Sequence, residues 1–412
     1  MASSSHGQGR RVEPVRAATS IGVGALPLDA MYDILLRLPA KELCRLRLVC
    51  RSWCSLLSDP AFAAAHAARY PEPLILVGHN NNPLLDSENG DWKYQGVISV
   101  IDLSGHVVKK LRVDGHITSM SLHLACVKKT GDGSCRLVNP ATGAVHHVPR
   151  EDPVYGYSDR LCPFGQVAST REYKVLRKVS YSLNGNSRVL YEICTIMGRS
   201  SGVHGQAQQA QWRMIQGPPH CIDIDWCAKA SVVIDGVVYF LSKNYASSAA
   251  AGGSEKQDWI ASFDLETERW RPNIRGPNIR RPNIRVPPSL LNGNYNGLVV
   301  DKELSLVNLN GSLVIVHLPY PCMDLWYLLD SDKGLWVRQY SISIKAYYCR
   351  SLSSFTPLIV LDDGRIIIHI ERLGMGMLKI YDPKTNKLSS AAETGLSSAV
   401  SVYTGTLLSL EW

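Results

Sequence analysis

The residues of this chain best suited to hold a metal lie in one run, "HCIDIDWC" at residues 220–227, which contains His220, Cys221, Asp223, Asp225 and Cys227. On an extended strand alternate side chains share a face, so Cys221, Asp223, Asp225 and Cys227 converge on one side and Ile222, Ile224 and Trp226 on the other. Thiolates and carboxylates on one face are zinc-type donors. Ordinary alternation of a half-buried strand produces the same pattern, and a structural role is expected. The adjacent His146 and His147 point to opposite faces of a strand and make poor joint ligands. The sequence has no Cys-x-x-Cys pair, phosphate loop or His-Glu-x-x-His helix. No catalytic residue, metal ligand or cofactor site is expected from these residues.

Another set of polar residues recurs at fixed places. Five windows of equal length align without gaps: "VISVIDLSGHVVKKLRV" from Val97, "SCRLVNPATGAVHHVPR" from Ser134, "WIASFDLETERWRPNIR" from Trp259, "WYLLDSDKGLWVRQYSI" from Trp326 and "MLKIYDPKTNKLSSAAE" from Met377. Each is a strand, an Asp or Asn, a short polar turn and a second strand. Asp102, Asn139, Asp264, Asp330 and Asp382 can bond the backbone two residues on, so their expected job is to set the turn rather than to catalyse.

A second hairpin type precedes several of these windows, with tight turns at Asp235-Gly236, Asn310-Gly311 and Asp363-Gly364 between β-branched runs. Two hairpins make a four-stranded sheet. Such a sheet repeated every 40 to 65 residues or so leaves both faces apolar and must stack on its neighbours, as a propeller blade does. "SRVLYEICTIMG" and "QWRMI" supply a sixth hairpin. The expected fold is multidomain, with a small all-α unit of three to four helices followed by an all-β propeller-like domain of about six blades.

The α unit lies in "LPLDAMYDILLRLPAKELCRLRLVCRSWCSLL", residues 26–57. Met31, Ile34, Leu35 and Leu38 form one stripe of a helix that begins near Pro27 and is stopped by Pro39. Leu43 and Leu46 continue on a second helix; Val49, Trp53, Leu56 and Leu57 line a third; "SDP" at residues 58–60 caps a fourth. A unit of about 45 residues buries too little of its own surface to hide so many large side chains. With Leu26 outside the first helix and Leu36 pointing away from its stripe, apolar surface is left over for a partner.

The order Leu26-Pro27, Ile34-Leu35, Leu38-Pro39 and "LCRLRLVCRSW" resembles the F-box, the helical module that docks on a Skp-type adaptor of cullin-RING ubiquitin ligases. The resemblance implies adaptor contacts at Leu26, Pro27, Ile34, Leu38, Pro39, Leu43, Val49 and Cys50. It gives Trp53 a place in the module's own core. Arg45, Arg47 and Arg51 face either acidic adaptor side chains or solvent.

"LVNPATG", "FGQVASTREYKVLR", "VVIDGVVYFLS", "IASFDLETERW" and "LNGSLVIVH" follow the order found in the F-box-associated, kelch-like domain of a plant F-box family, which is expected to bind substrates. Two stretches depart from that pattern: the insert "SSAAAGGSEKQ", and "RPNIRGPNIRRPNIR" at residues 271–285. Pro272, Pro277 and Pro282 exclude a central strand from the latter and favour an extended or loop conformation, read as an expansion in a tolerant surface loop. A functional reading makes Arg269, Arg271, Arg275, Arg280, Arg281 and Arg285 a basic arm that steers an acidic partner.

The boundaries expected are 1–24 for a disordered head, 25–73 for the F-box and 74–412 for the β-domain. A formal net charge of +8 comes from 44 basic and 36 acidic residues that are interspersed, with no long positive block. That argues against a nucleic-acid partner. Eleven cysteines without framework spacing fit a reducing compartment. With no apolar signal segment or membrane-length run, a cytoplasmic or nuclear location is expected. The expected function is substrate recognition in an SCF-type ligase, with a Skp-type adaptor and through it a cullin on one side, and an unidentified target protein on the other. The alternatives are a β-propeller enzyme, or a non-ubiquitinating scaffold, with the helices as a cap.

Overall fold

The structure is a computed structural model that describes residues 27–38, 40–69, 72–81, 84–85, 92–121, 123–129, 134–140, 143–149, 157–158, 163–183, 186–196, 210–218, 230–242, 259–277, 279, 304–319, 321–347 and 353–403. Four helices come first: α1 (Leu28–Leu36), α2 (Ala40–Leu46), α3 (Arg51–Leu57) and α4 (Pro60–Arg69). Asp29 sits in the first turn of α1, where the exposed amides favour negative charge. Asp59 caps α4, its Oδ1 accepting the Ala61 N–H at 2.7 Å, and Pro60 fills the first helical position, where a missing N–H costs nothing.

The helices close around Leu35, Leu43, Leu57, Phe62 and Ala63, with Met31, Tyr32, Leu36, Leu38, Leu46, Trp53 and Leu56 packed on them. Tyr32 meets Phe62 edge to face at 5.0 Å. His66 of α4 reaches the Leu38 carbonyl at 2.9 Å and ties the last helix to the end of the first. Two expectations change here. Leu36 packs on this core, whereas Ile34 turns out of it and is 47 % exposed. Val49 precedes α3 instead of lying on it, so its side chain escapes the stripe formed by Trp53, Leu56 and Leu57.

The β-domain is a six-bladed propeller of antiparallel sheets. Blade 2 runs His116–Ser121, Leu124–Lys128, Cys135–Val138 and Val145–His147. In blade 3, Tyr157–Ser158 and Phe164–Gln166 both pair with Tyr173–Leu183, which is followed by Asn186–Ile196 and Trp212–Ile215. Blade 4 runs Ser231–Ile234, Val237–Leu241 and Trp259–Asp264, with Arg269–Trp270 and Ile274–Arg275 sharing the outer position. Blade 5 comprises Leu304–Leu309, Ser312–His317, Cys322–Asp330 and Leu335–Ser343, and blade 6 Ser353–Val360, Ile366–Arg372, Met375–Asp382 and Lys387–Gly395. Blade 1 joins both ends of the domain: Leu74–Asn80, Gln95–Ile101 and Val107–Asp114 are completed by Ala399–Tyr403, which pairs with Leu74–Asn80.

Each blade meets the next through its own apolar cluster, and six such clusters close the ring. The cluster between blades 6 and 1 sets Leu358, Ile367 and Leu378 against Ile75, Val77 and Ile101. A side chain of this size contributes roughly 1.5–3 kcal/mol when fully buried, so each blade owes its stability to its neighbours.

The recurring Asp residues do what their spacing predicts. Asp102 Oδ1 accepts the amides of Ser104 and His106, both at 2.9 Å. Asp264 Oδ1 accepts those of Glu266 and Thr267, Asp330 Oδ1 those of Asp332 and Lys333, and Asp382 Oδ1 that of Lys384. Every one of these turns joins the third strand of its blade to the fourth. Asp235-Gly236 and Asn310-Gly311 form the expected two-residue turns with positive φ at both positions. Asp363-Gly364 does not: only Gly364 has positive φ, and Leu361 pairs with Arg365 across a three-residue loop.

The first copy of the five-residue repeat is likewise not a surface loop. Ile274–Arg275 pairs with Trp259–Ile260, Ile274 is buried between blades 4 and 5, and the Arg275 carbonyl accepts the Trp336 indole N–H at 2.7 Å. Arg271 is bound to Asp264 at 2.5 Å, which removes it from a free basic arm. Residues 280–285, the insert, "HCIDIDWC" and the head at 1–24 lie outside the described residues. Among the described residues no cluster of three metal-ligating side chains occurs, and no helix is long and apolar enough to cross a membrane.

Candidate functional site

The helical unit has a filled core and an uncovered corner. After α2 the chain turns through Leu48, Val49 and Cys50, held by the amides of Leu48 and Val49 on the carbonyls of Arg45 and Leu46. Cys50 is extended, with φ −160°, and opens α3, where its carbonyl accepts the Cys54 N–H. This geometry points Leu48 and Val49 outward, 77 % and 62 % exposed. Two adjacent large apolar side chains left in water beside a well-packed core are what an unmet docking surface looks like.

The residues expected at the adaptor contact separate into groups. Pro27, Val49 and Cys50 are exposed, and Ile34 is half-exposed on α1. Leu38 is partly buried, with one side on the core. Leu43 is fully buried inside the unit, so its position gives it a packing role and no outward surface. Leu26 and Pro39 lie outside the described residues. Leu48 was not among the expected residues, because it falls off the helical stripes; only its place beside Val49 in a turn marks it.

The three arginines also diverge. Arg45 makes a surface pair with Glu42 at 3.0 Å, and Arg51 is exposed. Arg47 is buried, and its guanidinium donates to the Leu57 carbonyl at the C-terminal end of α3. It therefore belongs to the frame that fixes the corner and neither to solvent nor to a partner.

On the propeller, antiparallel order puts all first-to-second and third-to-fourth turns on one rim, and the second-to-third and blade-to-blade connections on the other. Leu74 opens the second strand of blade 1, so the helical unit enters at the first rim, and α2 packs beside Val107–Asp114. The strand ends flanking residues 219–229, 243–258 and 280–303 belong to the opposite rim. His146 and His147 diverge as expected, and His146 lies beside Tyr173, whose hydroxyl meets His123 Nε2 at 2.7 Å.

Charged side chains concentrate between blades 3 and 4. Glu268 accepts Arg213 at 2.7 and 2.8 Å and Lys174 at 2.9 Å, while Lys174 also donates to the Leu265 carbonyl at 2.7 Å. The Arg213 hydrogen bond, then that of Lys174, holds the Glu268 carboxyl below its usual range in spite of partial burial. On the opposite face of blade 3, toward blade 2, Arg177, 4 % exposed, pairs with Glu192 at 2.6 Å and stacks over Trp212 at 4.0 Å. Every charge in these two groups has an internal partner; the Lys174–Glu268–Arg213 set joins blades 3 and 4, and neither group offers a ligand anything.

A four-helix knob with an apolar corner, followed by a ring-closed six-bladed propeller, defines a two-module protein. Residues 25–63 match the F-box domain family, and residues 104–402 match the F-box associated beta propeller domain. The second match covers more than half of the chain, which belongs to the family of F-box proteins with an F-box-associated propeller. Its relatives in Arabidopsis thaliana include F-box protein At3g07870, 24% identical over 94% of this chain and 92% of that one. Putative F-box protein At3g23260 is 27% identical over 60% of this chain and 63% of its own length, so the match spans less than two thirds of that relative. Putative F-box protein At5g42430 is 22% identical over 79% and 75%.

Proposed function

We propose that this chain is the substrate-recognition subunit of an SCF-type cullin-RING ubiquitin ligase. Its helical unit docks on a Skp-type adaptor through Leu48, Val49, Cys50, Ile34 and Pro27, flanked by Leu26, Leu38 and Pro39, and the adaptor carries the cullin. Leu43 and Arg47 hold that surface from inside. The propeller takes the target protein on the rim away from the helices, where the blade-to-blade connections emerge. The chain itself makes and breaks no bond; it raises the effective concentration of a target lysine beside the ubiquitin-charged enzyme. A cytoplasmic or nuclear location follows from this role.

The observation that carries the reading is the exposure of Leu48 and Val49 on a unit whose own core is full. Co-purification of the full chain with a Skp-type adaptor and a cullin tests it. Leu48→Asp with Val49→Asp is expected to abolish capture while the propeller stays folded. Undiminished capture by that double variant, or none by the unaltered chain, overturns the proposal.

A further inference from the structure

Cys126 and Cys135 stand on neighbouring strands of blade 2, where Cys126 is paired with Leu137 and Cys135 with Lys128. The two cysteines are thus diagonal neighbours on one face of the sheet. Both are thiols, and their Sγ atoms are 2.9 Å apart, in hydrogen-bond contact. A disulfide has its sulfurs at about 2.05 Å, so forming one from this arrangement asks for a small side-chain adjustment and no change of strand register.

The surroundings divide the work between them. Cys126 is buried at 1 % exposure, whereas Cys135 is half-buried and is the sulfur a small oxidant meets first. The Cys135 hydrogen bond, then those of Thr118 and Ser119 and last the charge of Lys128, hold the Cys126 thiol below its usual value against the effect of complete burial. Cys194 packs in the same apolar cluster and makes the opposite case: burial pushes its thiol up to about 11.

We propose that Cys126 and Cys135 form a reversible thiol–disulfide couple that responds to hydrogen peroxide. Cys135 passes its proton to the Cys126 sulfur across their hydrogen bond and attacks one peroxide oxygen as the thiolate; an S–O bond forms, the O–O bond breaks, and the departing hydroxide takes that proton back from Cys126 and leaves as water. The Cys126 thiolate then attacks the sulfenic sulfur of Cys135. The S–S bond forms, the S–O bond breaks, and a second hydroxide leaves as water. Two thiols and one peroxide thus become one disulfide and two waters, and a dithiol reductant reverses the change by exchange. The bond cross-links the strand ends beside residues 129–134, on the rim away from the helical unit, and it does not depend on adaptor docking.

The test treats the reduced full chain with hydrogen peroxide, blocks remaining thiols with N-ethylmaleimide under unfolding conditions, and maps the digested peptides by mass. The expected product is a peptide pair joined through Cys126 and Cys135, lighter by two hydrogens and separated by dithiothreitol, with Cys194 alkylated. In Cys126→Ser, Cys135 should stop at a sulfenic acid that dimedone captures; should that variant not fold, the map of the unaltered chain decides alone. Alkylation of both cysteines after peroxide, a bridge from either one to another cysteine, or Cys135 driven to sulfinic acid without a bridge overturns the couple.

Discussion

The side-chain amide of Asn310 holds both backbone groups of Val360: its Oδ1 accepts the Val360 N–H at 3.0 Å and its Nδ2 donates to the Val360 carbonyl at 2.7 Å. Asn310 belongs to the first turn of blade 5 and Val360 ends the first strand of blade 6, so one residue shapes a hairpin and locks it to the next blade. Asn80 does the same between blades 1 and 2, bonding the N–H and the carbonyl of Ile117 at 2.8 and 3.0 Å.

These two jobs of Asn310 separate by substitution. Asn310→Gly keeps the left-handed backbone, φ 53°, but removes both bonds; at about 1 kcal/mol each, a loss of about 2 kcal/mol is expected. Asn310→Ala should lose about 1 kcal/mol more, because a Cβ is strained at positive φ. Urea denaturation of the three proteins checks the order. Equal stability of the Gly and Ala variants would mean that the turn imposes no backbone demand.

Asn310 also shows where the sequence speaks and where it stops. Asn-Gly between β-branched runs announces a hairpin because the signal is local, but nothing near it names Val360, which ring closure brings into place. The Asp turns are legible for the same reason, since donor and acceptor lie two or three residues apart. The Lys174–Glu268–Arg213 set is not, because its members come from two blades. In the helical unit the period places a stripe on α1 but cannot say which edge is covered, so Ile34 and Leu36 exchange roles. In the first copy of the proline-bearing repeat, as Pro272 leads one to expect, no central strand forms. Ile274 nonetheless gains a buried place, because the outer position of blade 4 is short and accepts two residues.

Glu268 should make stability depend on pH in one direction. Its folded-state value is lowered by Arg213 and Lys174, so its contribution is fully present above the unfolded value of about 4.3 and is lost as pH falls through the folded value. Glu268→Gln should cost roughly 3 kcal/mol at pH 7, since it strips the buried Lys174 of its counter-charge. That cost should shrink steadily as pH drops below 4 or so. Unfolding free energies of both proteins at pH 7, 5 and 3.5 or thereabouts measure it; a cost independent of pH would show that shape, not charge, is what Glu268 supplies.

Core and corner of the helical unit should respond oppositely. Leu43→Ala opens a cavity at a fully buried site, with an expected loss of about 2–5 kcal/mol in the unit and weakened adaptor capture as a consequence. Leu48→Ser should leave stability within about 0.5 kcal/mol and weaken capture directly. Circular dichroism melts run beside titration with the adaptor separate the two. A Leu48→Ser chain as unstable as Leu43→Ala would place that leucine in a core.

The closing strand carries the last expectation. Ala399–Tyr403 is the innermost strand of blade 1, and Tyr403 and Leu76 sit together in the cluster between blades 1 and 2. Truncation after Gly395 removes the register from Leu74↔Tyr403 to Gly78↔Ala399 and exposes Leu74–Asn80 as an unpaired edge. It also uncovers apolar surface of blade 6, since Val400 and Val402 pack against the cluster between blades 6 and 1. A single strand thus serves one sheet and two inter-blade interfaces, and its loss should exceed about 5 kcal/mol, comparable to the whole stability of many domains. The truncated chain is expected to elute as aggregate and to lose a cooperative melt. If it remains monomeric and melts as sharply as the full chain, the ring does not depend on closure by its C-terminal strand.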